Sequence, residues 1–200
     1  MIQLDEATHT YTDPDIGLVY ASVTKIIGEA GLHGDAARYY TEYSRERGSK
    51  AHKVIELYLK GTLDEATVDP ALAGYFKAYK KFEADTQFFP GFIEHILHSV
   101  PLRVAGTADL IGPDWKGKGA VIIDLKTSMT PSPATGIQLS GYEELFGVNP
   151  ELPKPKRFAL HLKPDGKPKL IPYTDRNDRA VFLAAVTLYH WRKANRKGET

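Results

Sequence analysis

Asp124-Leu125-Lys126 closes the apolar run Ala120-Val121-Ile122-Ile123, and on a strand it sets a carboxylate and an ammonium on one face, because residues two apart point the same way. A second acid, Asp109, ends the small and apolar stretch Val104-Ala105-Gly106-Thr107-Ala108, which also reads as a strand. An acid after such a stretch is costly in a buried strand unless a cation meets it. Two aspartates with a main-chain carbonyl suit a hard divalent cation such as Mg²⁺ or Mn²⁺. Such an ion polarises a phosphoryl oxygen and acidifies a water. Lys126 would then either stabilise the charge that builds up on a phosphodiester under attack or help deprotonate the water.

The elements that must position these groups follow from pattern. Residues 1–31 read as a short hairpin around Asp13-Pro14-Asp15 and Gly17, then a helix opened by Ser22-Val23-Thr24 and ended by Gly31. From Asp35 to Lys60 the spacing is helical, with Ala51, Ile55 and Leu59 on one stripe and Gly61 as the stop; a second helix spans Pro70 to Asp85. After Pro90 the pattern turns to strands at Phe92–Ser99, Leu102–Ile111 and Ala120–Thr127. Ser132-Pro133 caps a helix that stops at Gly147. Phe158–Leu162 and Lys169–Tyr173 flank Pro164-Asp165-Gly166-Lys167 as a hairpin, and Thr174 or Asp175 caps a last helix to Asn195. Its apolar positions include Val181, Ala184, Ala185, Leu188 and Trp191.

Size and composition narrow the classes. Two hundred residues with 42% hydrophobic content suit one α/β or α+β domain with a sizeable core. A formal charge of +1 leaves nucleic-acid binding to a local basic surface. The lack of cysteine removes disulfides, thiol nucleophiles, cysteine-ligated zinc and iron–sulfur clusters. No run approaches the about eighteen apolar residues that span a membrane, and residues 1–6 do not read as a signal peptide, so a cytoplasmic protein without a membrane partner is expected.

Laid in order, these pieces resemble the PD-(D/E)xK nuclease superfamily and, within it, the RecB-like exonucleases of phages and mitochondrial DNA maintenance. Ser22-Val23-Thr24 entering a helix, Arg47-Gly48-Ser49-Lys50-Ala51-His52, Gly106-Thr107-Ala108-Asp109, Asp124-Leu125-Lys126 and Gln138-Leu139-Ser140-Gly141-Tyr142 are similar to that branch's ordered motifs, the last to its Q-x-x-x-Y. The resemblance implies a restriction-endonuclease-like α/β core. Its mixed central sheet is flanked by helices and carries an N-terminal helical wall or arch. The whole of 1–200 is then one nuclease domain, with 1–90 mainly helical and 91–200 holding the sheet core.

The resemblance also implies roles. His52, Asp109 and Asp124, with the carbonyl of Leu125, would hold Mg²⁺ or Mn²⁺; Asp109, Asp124 and Lys126 would be catalytic; Gln138 and Tyr142, four apart on one helix face, would meet the site edge or the substrate. A further acid sometimes precedes the G-x-x-D strand in the family, and Glu94 occupies that place. Unlike many relatives, the chain has no cysteines for an iron–sulfur cluster. It also lacks a helicase phosphate loop.

The implied activity is metal-dependent exonucleolytic hydrolysis of DNA in replication, recombination or repair, in a phage or bacterial setting, alone or with a separate partner. A structure- or sequence-selective endonuclease and a non-catalytic nucleic-acid-binding module are the alternatives. By residue type, His52 could also simply hold a backbone carbonyl, Tyr142 could be core, and Ser22 and Thr24 could cap a helix or offer hydroxyls to a phosphate. Arg38, Arg45, Arg47, Lys50 and Lys53, interleaved with Tyr39, Tyr40 and Tyr43, could contact phosphates and bases or form a solvated face. Arg192, Lys193, Arg196 and Lys197 could do no more than complement a helix dipole.

Overall fold

The computed structural model describes residues 2–5, 8, 10–33, 41–128, 131–147 and 153–195. Eight strands form one mixed sheet among these residues. They are β1 (Gln3–Asp5), β2 (Thr10–Asp13), β3 (Leu18–Ser22), β4 (Phe92–Ser99), β5 (Val104–Pro113), β6 (Ala120–Lys126), β7 (Lys156–Leu162) and β8 (Pro168–Pro172). Five helices flank it: α1 (Val23–Glu29), α2 (Glu42–Leu59), α3 (Pro70–Thr86), α4 (Pro133–Phe146) and α5 (Asn177–Asn195). No described helix is long and apolar enough to cross a membrane.

Local chemistry sets the helix starts. Ser22, Thr41, Asp69 and Ser132 each turn a side-chain oxygen onto a backbone N–H of the first turn, and Pro70 and Pro133 occupy first-turn positions that need no N–H acceptor. The helix expected from Asp35 begins at Glu42 in the described part, and Arg38, Tyr39, Tyr40, Arg196 and Lys197 lie outside the described residues.

The sheet is larger than the strands read after Pro90, because the N-terminal hairpin joins it: β3 runs parallel to β5 through Ala21↔Val104 and Ser22↔Ala105. Its two faces are packed separately. On one, Ile26, Ile27, Ile122, Leu139, Tyr142 and Phe182 join α1, α4 and α5. On the other, Ile55, Tyr79, Phe82, Ile123, Leu125 and Leu160 join α2 and α3. Each such side chain contributes about 1.5–3 kcal/mol on burial. Alternation along β6 therefore sends Val121, Ile123 and Leu125 to the α2–α3 core. Ile122 goes to the α4 side, and Asp124 and Lys126 follow it by the same period.

The last helix differs from its reading. Its buried residues are Phe182, Ala185, Val186 and Tyr189, whereas Val181, Leu188 and Trp191 are exposed, Trp191 at 63%. Two apolar stripes lie side by side on this helix, and the one with Phe182, Ala185 and Tyr189 takes the core; of the residues read as its apolar face, Ala185 is the one buried.

The feature that makes room for a site is a fork. β5 and β6 pair antiparallel only from Leu110↔Ile123 to Pro113↔Ala120, while β3 pairs with the far end of the same β5 edge. Between those contacts, Gly106–Asp109 of β5 faces a gap. The chain leaves β3 for α1 at its rim, and β6 continues alone past Ile123 on that side.

Candidate metal centre

Asp109 sits at the apex of the fork. Where the β5–β6 ladder stops, the Leu125 N–H donates instead to Asp109 Oδ2 at 2.6 Å. The side chain of Asp109 keeps only 12% of its exposure, and His52 Nδ1 lies 3.6 Å from its Oδ1. His52 is brought there by α2, which rests on the sheet through Ala51 and Ile55. From the opposite edge comes Glu94 on β4. That strand pairs antiparallel with β5 through Ile93↔Leu110 and His95↔Ala108, so Glu94 falls opposite Asp109.

One nitrogen of His52 and one carboxylate oxygen each of Glu94 and Asp109 all lie within 4.8 Å of one another. Glu94 holds a left-handed backbone, φ 48°, which for any residue with a Cβ costs on the order of 1 kcal/mol or more and collects at functional sites.

Glu94 and Asp109 are both disfavoured as free anions here. Burial, and next the charge of Asp109, push the Glu94 carboxyl up to about 8. Asp109 is raised as well, chiefly by burial; His52 opposes that rise and Asp124 adds to it. Asp124, 2% exposed, pairs through Oδ2 with Lys126 Nζ at 2.8 Å. Lys126 also donates to Gln138 Oε1 at 3.2 Å, and Gln138 Nε2 donates to the Tyr142 hydroxyl at 2.9 Å. Burial first, then the charges of Asp124 and Asp109, push the Tyr142 phenol well above its ordinary range. Tyr142 lies against Gly106, where an added Cβ would come within 2.8 Å of its ring. Beside them a cavity of ≈ 180 Å³ is lined by Tyr11, Ser22, Val23, Thr24, Glu94, Gly106, Thr107, Asp109 and Tyr142.

The fold thus gathers His52, Asp109, Asp124, Lys126, Gln138 and Tyr142 from α2, β5, β6 and α4 into one neighbourhood. Glu94 joins them; its only sequence signal was its place before the G-x-x-D strand. Of the other named residues, Ser22 and Thr24 line the adjoining cavity, and Arg47 and Lys53 lie on α2. Ser22 is the N-cap of α1, accepting from the Lys25 N–H at 3.1 Å, with Thr24 Oγ1 3.3 Å from its hydroxyl. Arg47 lies between the rings of Tyr43 and Tyr75, 5.8 and 5.6 Å from their centres. Lys53 is paired with Glu56 at 2.9 Å.

A divalent cation fits this donor set. One imidazole and two carboxylates are ligands that a divalent cation takes, and a cation between the two acids would offset the burial and the repulsion from Asp109 that raise Glu94.

The architecture is a restriction-endonuclease-like α/β core, a mixed sheet flanked by helices, with a His/Glu/Asp group able to hold a divalent metal. Among solved structures it is similar to a protein of Eubacterium rectale described as a candidate exonuclease, with 17% identity over 86% of this chain and 79% of that one at a TM-score of 0.59. It also overlaps SSO0001, at 17% identity over 88% of this chain and 77% of that one, though at a TM-score of only 0.45. No family model matches the chain, and no curated protein matches it.

Proposed function

We propose that this chain is a divalent-metal-dependent deoxyribonuclease of the RecB-like branch, acting as an exonuclease in DNA replication, recombination or repair. The observation that carries the reading is the convergence of His52, Glu94 and Asp109 within 4.8 Å, in the same fork as the Asp124–Lys126 pair. The named description of the Eubacterium rectale protein points the same way.

In this reading His52, Asp109 and Glu94 would hold Mg²⁺ or Mn²⁺, with Asp124 and the Leu125 carbonyl as the further ligands that β6 could supply. When bound, the ion would draw charge from a phosphoryl oxygen and make a water more acidic. The chain's own groups do the rest. Lys126 presents a positive charge to the phosphate whose negative charge grows during attack. The Leu125 N–H fixes Asp109 so that its second oxygen faces His52. Thr24 and the cavity wall receive the strand beside the cut, while Arg47 and Lys53 on α2 contact its phosphates.

The test uses end-labelled single- and double-stranded DNA and closed circular DNA with Mg²⁺, Mn²⁺ or EDTA. The expected result is mononucleotide or short-product release from linear DNA, intact circles, and no cleavage in EDTA. Cleaved circles would make it an endonuclease; intact DNA under every condition would remove the enzyme reading.

A further inference from the structure

We infer that Gln138 is a positioning residue for Lys126: its side-chain amide, anchored by Tyr142, aims the lysine ammonium into the fork, and it does not contact substrate. The role rests on the nuclease reading for its catalytic consequence, while the geometry stands without it.

The amide orientation follows from donor and acceptor counting. A lysine ammonium has three donors and no acceptor, so the group 3.2 Å from Lys126 Nζ must be the carbonyl oxygen of Gln138. The NH₂ end then faces the Tyr142 hydroxyl at 2.9 Å, which accepts. Both ends of the amide are used inside the protein, and the two-way flip open to an exposed glutamine is closed.

The support beneath this pair is rigid. Gln138 and Tyr142 are one turn apart on α4. Tyr142, 4% exposed, is held against the glycine gap at Gly106. Helix α4 itself presses on α5 and α1 through Gly141, where an added Cβ would meet the Phe182 ring at 2.8 Å and Val23 at 3.0 Å. The lysine, by contrast, is a point charge on a flexible four-carbon stem, and Asp124 at 2.8 Å pulls it to one side. A second, fixed acceptor defines where it points.

Such an arrangement divides labour. If Gln138 acts only through Lys126, removing it should cost turnover and leave substrate affinity alone, and it should cost nothing once Lys126 is gone.

Two measurements test this. In metal-free protein with ¹⁵N-labelled lysine, the ammonium signal of Lys126 is expected to be sharp and slowly exchanging in the wild type and lost or averaged in Gln138→Leu. Unchanged order in that variant overturns the inference. With DNA and Mn²⁺, Gln138→Leu is expected to lower kcat about 30- to 100-fold with KM within about twofold, and Tyr142→Phe to lower it about three- to tenfold. In a Lys126→Ala background Gln138→Leu should change the residual rate and the DNA Kd, measured with Ca²⁺, by less than about twofold. A raised KM or Kd, or a full additional loss on Lys126→Ala, would show direct substrate contact and overturn it. Failure of the wild type to cleave any DNA would remove the nuclease reading alone, since the lysine spectrum still decides whether Gln138 orders Lys126.

Discussion

The same two strands behave differently at their two ends. From Leu110 to Pro113, β5 is zipped to β6, and the residues there, Ile111, Ile122 and Ile123, are about 1% exposed or less and wholly apolar. One residue past that ladder, at Asp109 and Asp124–Lys126, the strands part, and Asp109, Asp124, Lys126 and Gln138 crowd the gap. Where the ladder runs, backbone N–H groups are consumed by backbone carbonyls; where it stops, the Leu125 N–H is available to orient a carboxylate. The zipped end makes the splayed end possible, because two acids as little exposed as Asp109 and Asp124 are tolerable only with their partners held in place by a frame that other contacts keep shut.

Breaking the splayed end should destroy activity and spare the fold. Lys126→Ala is expected to reduce DNA hydrolysis by about 10²- to 10³-fold, on the scale of losing a charge-stabilising donor at a reacting centre. The protein should still be folded in buffer but with its urea midpoint lowered, because the buried Asp124 loses its ion-pair partner. Rates and denaturation curves measured on one preparation check both halves of that statement.

Breaking the zipped end should do the reverse. Ile123→Ala opens a cavity in a core residue that is 0% exposed and is expected to cost about 2–5 kcal/mol in urea unfolding. The folded fraction should keep its specific activity within about threefold. If activity per folded molecule collapses with it, the two ends are not separable.

A subtler change lies between them. Glu94→Gln removes one charged ligand and is expected to weaken Mn²⁺ binding about 10- to 100-fold by titration calorimetry, yet leave metal-free stability unchanged or slightly raised. The sign follows because burial, and next the charge of Asp109, disfavour an ionised Glu94. The wild type therefore loses stability as pH rises from the ordinary carboxylate range through about 8, a loss that a neutral glutamine does not share. The smallest effect is expected on the exposed stripe of α5, where Leu188→Gln should shift stability by no more than about 0.5 kcal/mol.

This contrast also explains what could be read from the chain alone. Asp124 and Lys126 were legible because strand alternation is local. Asp109 was legible only as an acid closing a small, apolar stretch, since β5 reverses its facing there, with Ala108 in the α4-side core and Leu110 in the α2–α3 core. Glu94 was not, since its value depends on β4 lying antiparallel to β5 with Glu94 opposite Asp109 and on a left-handed backbone at that position. Neither is written in the local stretch Phe92–Ser99, which carries polar residues on both faces. The N-terminal hairpin read correctly as a hairpin, but its docking beside β5 is a pairing between residues about eighty apart, a separation that local pattern does not report.

Helix α5 shows a third limit. Val181, Ala184, Leu188 and Trp191 share helical spacing as well as Phe182, Ala185 and Tyr189 do. The choice between stripes was made by the shape of α4, where Gly141 leaves a slot that the Phe182 ring fills. Periodicity counts candidates for the buried face; complementarity to a neighbour selects among them.

The central claim is that His52, Glu94 and Asp109 form one cation site beside Lys126. Anomalous diffraction from crystals soaked in Mn²⁺ tests it most directly: the predicted peak lies within coordination distance of the His52 imidazole and of both the Glu94 and Asp109 carboxylates. A Mn²⁺ bound elsewhere, or none at these three residues at saturating metal, would contradict the account.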